Sequence, residues 1–233
     1  MSQSAMQSSL PHLRYEKKFI AEGFSLAEVV ARVRRHPAVF REAYPPRVVN
    51  NIYLDSPARW DYHAHINGAA DRSKTRVRWY GPDRETADRP MLERKLKRGM
   101  VSGKEAHALP RFSIDGGCLH SQLGTAFDAS PLPHMLRSAL KHVEPALFNR
   151  FERLYFQSGD GQFRLTVDWG LQFASVACKG RQSIDLSPPA RTLILELKFG
   201  LERAEEADAI TNALPFRVAR FSKYVAGIER VDG

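Results

Sequence analysis

The chain has 233 residues, 43% of them hydrophobic, which is enough for a sizeable core and excludes a chain disordered throughout. Lysine and arginine number 35 against 26 for aspartate and glutamate, so the formal charge is +9 and the pI about 9.8, a balance that calls for an anionic partner: nucleic acid, a phosphorylated small molecule or a membrane surface. No apolar run approaches transmembrane length, and two cysteines without metal spacing, Cys118 and Cys178, exclude a disulfide-rich scaffold, so both read as packing residues in a reducing, cytoplasmic setting.

Residues 1–13, MSQSAMQSSLPHL, lack a charged n-region followed by an apolar core. They are expected to form a short disordered lead-in, with one α+β domain over 14–233. The first strand is YEKKFI, where Glu16 and Lys18 share a face. FSLAEVVARVRRH follows as a helix, with Ser25 as N-cap and Glu28 three residues later completing a capping box. In VVNNIYLDS, Ile52 and Leu54 oppose Asn51, Tyr53 and Asp55. KTRVRWYG sets Lys74, Arg76 and Arg78 on one face and Thr75, Val77 and Trp79 on the other. GPDRETADRP reads as a loop. In MLERKLK, Glu93, Lys95 and Lys97 oppose Leu92 and Leu96.

VSGKEAHAL alternates weakly and is one possible eighth strand; LQFASVA is the other. SIDGGCLHSQLGTAFDASPLP reads as a loop and PHMLRSALKHV as a short amphipathic helix. RFERLYF alternates Phe151, Arg153 and Tyr155 with Glu152, Leu154 and Phe156. The Asp-Gly of GDGQ, at 159–162, marks a tight hairpin turn, not a phosphate-binding glycine loop. QFRLTVDWG sets Arg164, Thr166 and Asp168 against Phe163, Leu165, Val167 and Trp169. After the loop QSIDLSPPAR, TLILELKFG sets Ile194, Glu196 and Lys198 against Leu193, Leu195, Leu197 and Phe199. LERAEEADAITNAL and ARFSKYVAGIER read as the last two helices. Trp60, Trp79 and Trp169 are assigned to the apolar core, and His63 and His65 to the surface.

Charged strand faces usually meet solvent, as in a sandwich. Here the same face repeatedly pairs acid with base: Glu16 with Lys18, Glu93 with Lys95, Glu196 with Lys198. That repetition also fits a closed barrel whose wet interior holds acids, a metal and a polyanion. The pattern alone supports both architectures.

YEKKF, IYLDS, KTRVRWYG, LERKLK, VSGKE, NRFERLYF, FRLTVD, LILELKFG and FSKY, in this order, resemble successive motifs of the VTC (vacuolar transporter chaperone) domain, from about residue 14 to about 230. This family belongs to the triphosphate tunnel metalloenzymes, with the CYTH phosphatases. The resemblance implies an eight-stranded antiparallel β-barrel tunnel with a basic interior, flanked by helices. It implies a polyphosphate polymerase, an ATP:polyphosphate phosphotransferase, using Mn²⁺ or Mg²⁺. Its phosphate contacts would be Lys18, Lys74, Arg76, Arg78, Lys95, Lys104, Arg153, Tyr155, Arg164, Lys198 and Lys223. Lys223, Glu196, Arg76 and Arg78 would carry catalysis, and Glu196, Glu16 and Glu93 would face the metal.

CYTH enzymes begin with E-x-E-x-K; here Lys18 stands where the second acid would, which favours the VTC branch. Neither an SPX-type domain ahead of the tunnel nor membrane helices behind it is expected, so the chain reads as a free-standing, bacterial-type VTC protein. The alternatives are a triphosphatase of the same superfamily, in which water replaces the phosphate acceptor, and a non-catalytic polyphosphate-binding module. ATP and polyphosphate or triphosphate are the expected partners. Nucleic acid and membrane insertion are not expected, and no protein partner is deducible.

Overall fold

The computed structural model describes residues 14–98, 101–114, 118–176 and 184–232. The lead-in and Cys178 lie outside these residues. In chain order the elements are β1 (Arg14–Ala21), α1 (Leu26–Arg34), β2 (Arg41–Asp55), α2 (Trp60–Ile66), β3 (Arg72–Tyr80), β4 (Thr86–Ala87), β5 (Met91–Arg98), β6 (Val101–Ala108) and β7 (Phe112–Ser113). Then come α3 (Leu119–Asp128), α4 (His134–Leu140), β8 (Glu144–Gln157), β9 (Arg164–Ala174), β10 (Leu193–Gly200), a 3₁₀ turn (Leu201–Arg203), α5 (Ala204–Asn212), β11 (Arg217–Val218) and α6 (Lys223–Asp232).

The fold is α+β, built on one large sheet. Nine strands hydrogen-bond in the order β11-β1-β10-β9-β8-β2-β3-β5-β6, and β4 pairs with β7 in a second, two-stranded sheet. Eight strands of the large sheet run for eight residues or more, and only β11 is short. The pairs β1–β10, β10–β9, β2–β3, β3–β5 and β5–β6 are antiparallel. In β3, Thr75, Val77 and Trp79 are buried while Lys74, Arg76 and Arg78 are half-buried, the period-two pattern of a strand with one apolar face.

Chain contacts divide the molecule into two compact units. The first comprises Met1–Pro46, Leu154–Asp168 and Thr192–Arg220; the second comprises Arg47–Arg153, Trp169–Arg191 and Phe221–Gly233. In the first unit, Phe19, Val29, Val33, Phe163, Leu165, Leu195, Leu197, Ile210 and Phe216 are buried. The capping box of α1 forms as expected: the Glu28 N–H donates to Ser25 Oγ at 3.3 Å and the Ser25 N–H to Glu28 Oε2 at 2.8 Å.

In the second unit a contiguous core joins Ile52, Leu54, Val77, Trp79 and Leu92 from the strands to Leu119, Leu123 and Ala126 of α3 and to Leu136 and Leu140 of α4. In the same unit α6 packs so closely on Leu147 of β8 and Phe173 of β9 that a Cβ at Gly227 would collide with both.

Several expectations are corrected. The segment read as a loop around 119–128 contains α3, whose Leu119, Leu123 and Ala126 recur at helical spacing and turn inward. GPDRETADRP contains the short strand β4. LQFASVA is no separate strand: β9 continues through Gly170, which at φ 62° takes a left-handed conformation that a Cβ disfavours. The turn at 158–161 forms, with the Gly161 N–H donating to Ser158 O at 2.9 Å, but it sits in a connection longer than two residues. Trp60 is 73% exposed on the first turn of α2, not in the core. Cys118 is disulfide-bonded, so it is not a free packing thiol, and cysteine spacing no longer argues for a reducing compartment.

Candidate functional site

In the first unit, register assembles a compact acid–base group. Lys18 pairs with Glu196 and Glu196 with Thr166; one pleat along, Glu16 pairs with Lys198 and Lys198 with Arg164. These rows lie on one face, because paired residues in an antiparallel ladder point the same way. Lys18 Nζ lies 3.2 Å from Glu16 and 3.9 Å from Glu196; Lys198 Nζ lies 3.6 Å from each of the same two carboxylates. Burial and the neighbouring Glu196 act to raise the pKa of Glu16, but Lys18 and Lys198 outweigh them and hold it below its ordinary value. Glu196 is buried and Arg164 is exposed. Thr166 is also buried, and its Oγ1 has no hydrogen-bond partner. Such a hydroxyl costs about 1–3 kcal/mol. The Tyr155 ring lies 5.8 Å from that of Tyr44 in an edge-on contact.

In the second unit, Glu93 is a hub. Arg76 donates to its Oε2 through Nε at 2.8 Å and Nη2 at 2.5 Å, Lys104 donates to its Oε1 at 2.9 Å, and Arg78 Nη1 lies 3.9 Å away. Burial acts to raise the pKa of Glu93, but Arg76, Arg78 and Lys104 bring it down from 4.5 to about 2. Arg78 also donates to Asn51 Oδ1 at 2.8 Å. Burial and then the Arg76 charge lower the pKa of Arg78, with Glu93 opposing them. Lys74, Lys95 and Lys104 form one row by register, with Lys95 exposed.

The N-terminus of α6 joins the same unit. Ser222 caps the helix, its Oγ accepting from the Val225 N–H at 3.4 Å, and Lys74 donates to that oxygen at 3.0 Å. Lys223 is buried, with Nζ 4.8 Å from the centre of the Phe151 ring; the Arg153 guanidinium lies 5.3 Å from that ring. A desolvated cation–π contact is worth about 2 kcal/mol, against the several kcal/mol that burying an ammonium costs. Next to Lys223, Tyr224 donates to Asp55 Oδ2 at 2.6 Å. Asp55 also accepts from the Asp61 N–H at 3.0 Å and the Tyr62 N–H at 2.9 Å, so one buried carboxylate ties α6 to the start of α2. Burial, the Asp55 hydrogen bond and the Asp55 charge all raise the Tyr224 pKa.

Register thus brings Glu16, Lys18, Arg164, Glu196 and Lys198 together in one unit. The side-chain contacts of the other unit gather Arg76, Arg78, Glu93 and Lys104, and separately set Lys223 and Arg153 on the Phe151 ring. Sequence reading missed the roles of Asn51, Thr166, Ser222 and Tyr224. For Asn51 and Thr166 the signal was present, since both alternate in phase with charged residues on their strands.

A divalent cation of the Mg²⁺ or Mn²⁺ kind needs hard oxygen donors, commonly one or two carboxylates completed by phosphate and water. No group of three His, Cys, Asp or Glu residues able to hold a metal occurs among the described residues. Glu16 and Glu196 nevertheless form a two-carboxylate set bridged by shared lysines, beside an orphaned buried hydroxyl. That donor set fits such a cation in kind.

No curated protein matches the sequence. Solved structures resemble the fold, among them the three that follow. A candidate adenylate cyclase from Vibrio parahaemolyticus shares 13% identity at a TM-score of 0.53, with 93% of this chain and 99% of that one covered. A protein from Pyrococcus horikoshii shares 14% at 0.50, covering 94% and 99%. A candidate adenylyl cyclase from Hippeastrum, described as having a dominant triphosphatase activity, shares 14% at 0.50, covering 94% and 95%. The model of the VTC domain matches residues 13–231. With nearly its whole length matched, and with the motifs that carry the resemblance falling on the strands and helix that bear these charged groups, the chain belongs to the VTC domain family.

Proposed function

We propose that this protein is a polyphosphate polymerase: an ATP:polyphosphate phosphotransferase whose charged strand faces line a closed, basic tunnel of eight long strands. The observation that carries this reading over a phosphohydrolase is Lys18. It sits 3.2 Å from Glu16, where the hydrolase branch places a second acid. Membership of the VTC family supports the same branch.

In this reading a terminal phosphate oxygen of the growing chain attacks the γ-phosphorus of ATP. The bond from that phosphorus to the β,γ-bridging oxygen breaks, and ADP leaves with the electron pair. Phosphoryl transfer needs positioning and charge neutralisation rather than a side-chain nucleophile. Arg76 and Arg78 offer planar forks to phosphate oxygens, while Lys18, Lys74, Lys95, Lys104 and Lys198 add point charges. Arg153, Arg164 and Tyr155 are the remaining phosphate contacts of this reading. Lys223, held by its helix and ring, neutralises charge on the transferred group. Glu93 keeps Arg76 and Lys104 oriented, and so serves as a salt-bridge hub more than a metal ligand. Glu16 and Glu196 hold the divalent cation, Mn²⁺ or Mg²⁺, which when bound offsets repulsion between phosphate oxygens and stabilises the leaving diphosphate.

The test is purified protein with ATP, Mn²⁺ and a short polyphosphate primer, resolved on a gel. Long polymer and ADP are expected, with a loss of at least a hundredfold in Lys223→Ala, the order of a lost charge-stabilising contact. Free phosphate without polymer would instead identify a triphosphatase. Binding of polyphosphate with neither product would identify a non-catalytic module.

A further inference from the structure

Thr166 lies on β9 between Arg164 and Asp168, on the face that meets Glu196 across the β9–β10 pairing. The residue is 8% exposed, and its hydroxyl neither donates nor accepts a hydrogen bond, even with the Glu196 carboxylate in the paired position. Thr166 thus adds an oxygen donor to the group formed by Glu16, Glu196, Lys18 and Lys198. Lys18 and Lys198 already supply cations there for phosphate oxygens, whereas a hard divalent cation takes oxygen donors, and Thr166 Oγ1 is one beside the two carboxylates. We infer that Thr166 Oγ1 is an oxygen ligand of the divalent cation that Glu16 and Glu196 hold. This rests on the metal-holding role proposed for those two acids.

Metal binding is read without turnover, as free Mn²⁺ by electron paramagnetic resonance during titration of the full chain in the absence of nucleotide. Thr166→Val is expected to weaken Mn²⁺ binding about tenfold, and Thr166→Ser to stay within about twofold of wild type. Glu196→Gln is expected to weaken it further. Thr166→Val keeps the shape and removes the unsatisfied hydroxyl, so the metal-free variant should resist urea at least as well as wild type. Should that variant fail to fold, Thr166→Ala serves in its place.

Wild-type affinity in both Thr166→Val and Thr166→Ala would overturn the inference while leaving the two-carboxylate site intact. If wild-type protein and Glu196→Gln bind Mn²⁺ equally, the metal-holding role of the acids fails, and the inference falls with it.

Discussion

Glu93 shows how one carboxylate organises several cations. Its folded pKa of about 2 lies below the ordinary 4.5, so the folded chain binds a proton there less readily than the unfolded chain. The stabilisation is therefore complete above pH 4.5 and fades as pH falls towards 2. A shift of this size corresponds to a stabilisation on the order of 3 kcal/mol. Glu93→Gln should lower the urea midpoint most at pH 7, with the gap to wild type narrowing at pH 3.5. A gap independent of pH would contradict the hub role. Three basic groups converging on one acid also leave net positive charge at the cluster, which an anionic ligand can complete.

At the scale of elements, α6 is held at several points of the second unit. Gly227 lets it approach Leu147 and Phe173, Ser222 caps it under Lys74, and Tyr224 anchors it to Asp55. These contacts fix the first turn, where Lys223 stands. Tyr224→Phe removes a hydrogen bond to a buried carboxylate and should cost about 2 kcal/mol in denaturant unfolding. Because the ammonium of Lys223 then samples more positions, kcat should fall about tenfold while KM stays near wild type. An unchanged kcat would mean that the tether serves stability alone. The strands work differently: once register is set, alternate residues need no further device to share a face.

For the molecule as a whole, a charge of +9 has a measurable consequence. Tripolyphosphate binding, followed calorimetrically, should weaken about tenfold between 0.1 and 0.5 M NaCl as the Debye length shrinks. Single-stranded DNA with the same number of phosphates should bind more weakly than polyphosphate at each salt concentration; equal binding would favour a nucleic-acid partner. No helix among the described residues is long and apolar enough to cross a membrane.

The amino-acid sequence by itself determined the strand periodicity, the capping box of α1 and the charged face of each strand, because these depend on neighbours two to four residues apart. It also carried the ordered motifs of the family. It could not reveal α3, where Gly124 and a cysteine at the start hide an amphipathic pattern, nor the exposure of Trp60, since burial depends on what packs against a side chain. Only the tertiary structure decided which charges meet. Register set Glu16 and Glu196 between the same two lysines, gathered Arg76 and Lys104 on Glu93, and left Thr166 without a partner. Contacts between residues 150 or more positions apart arise from strand pairing and helix docking, to which local spacing is blind.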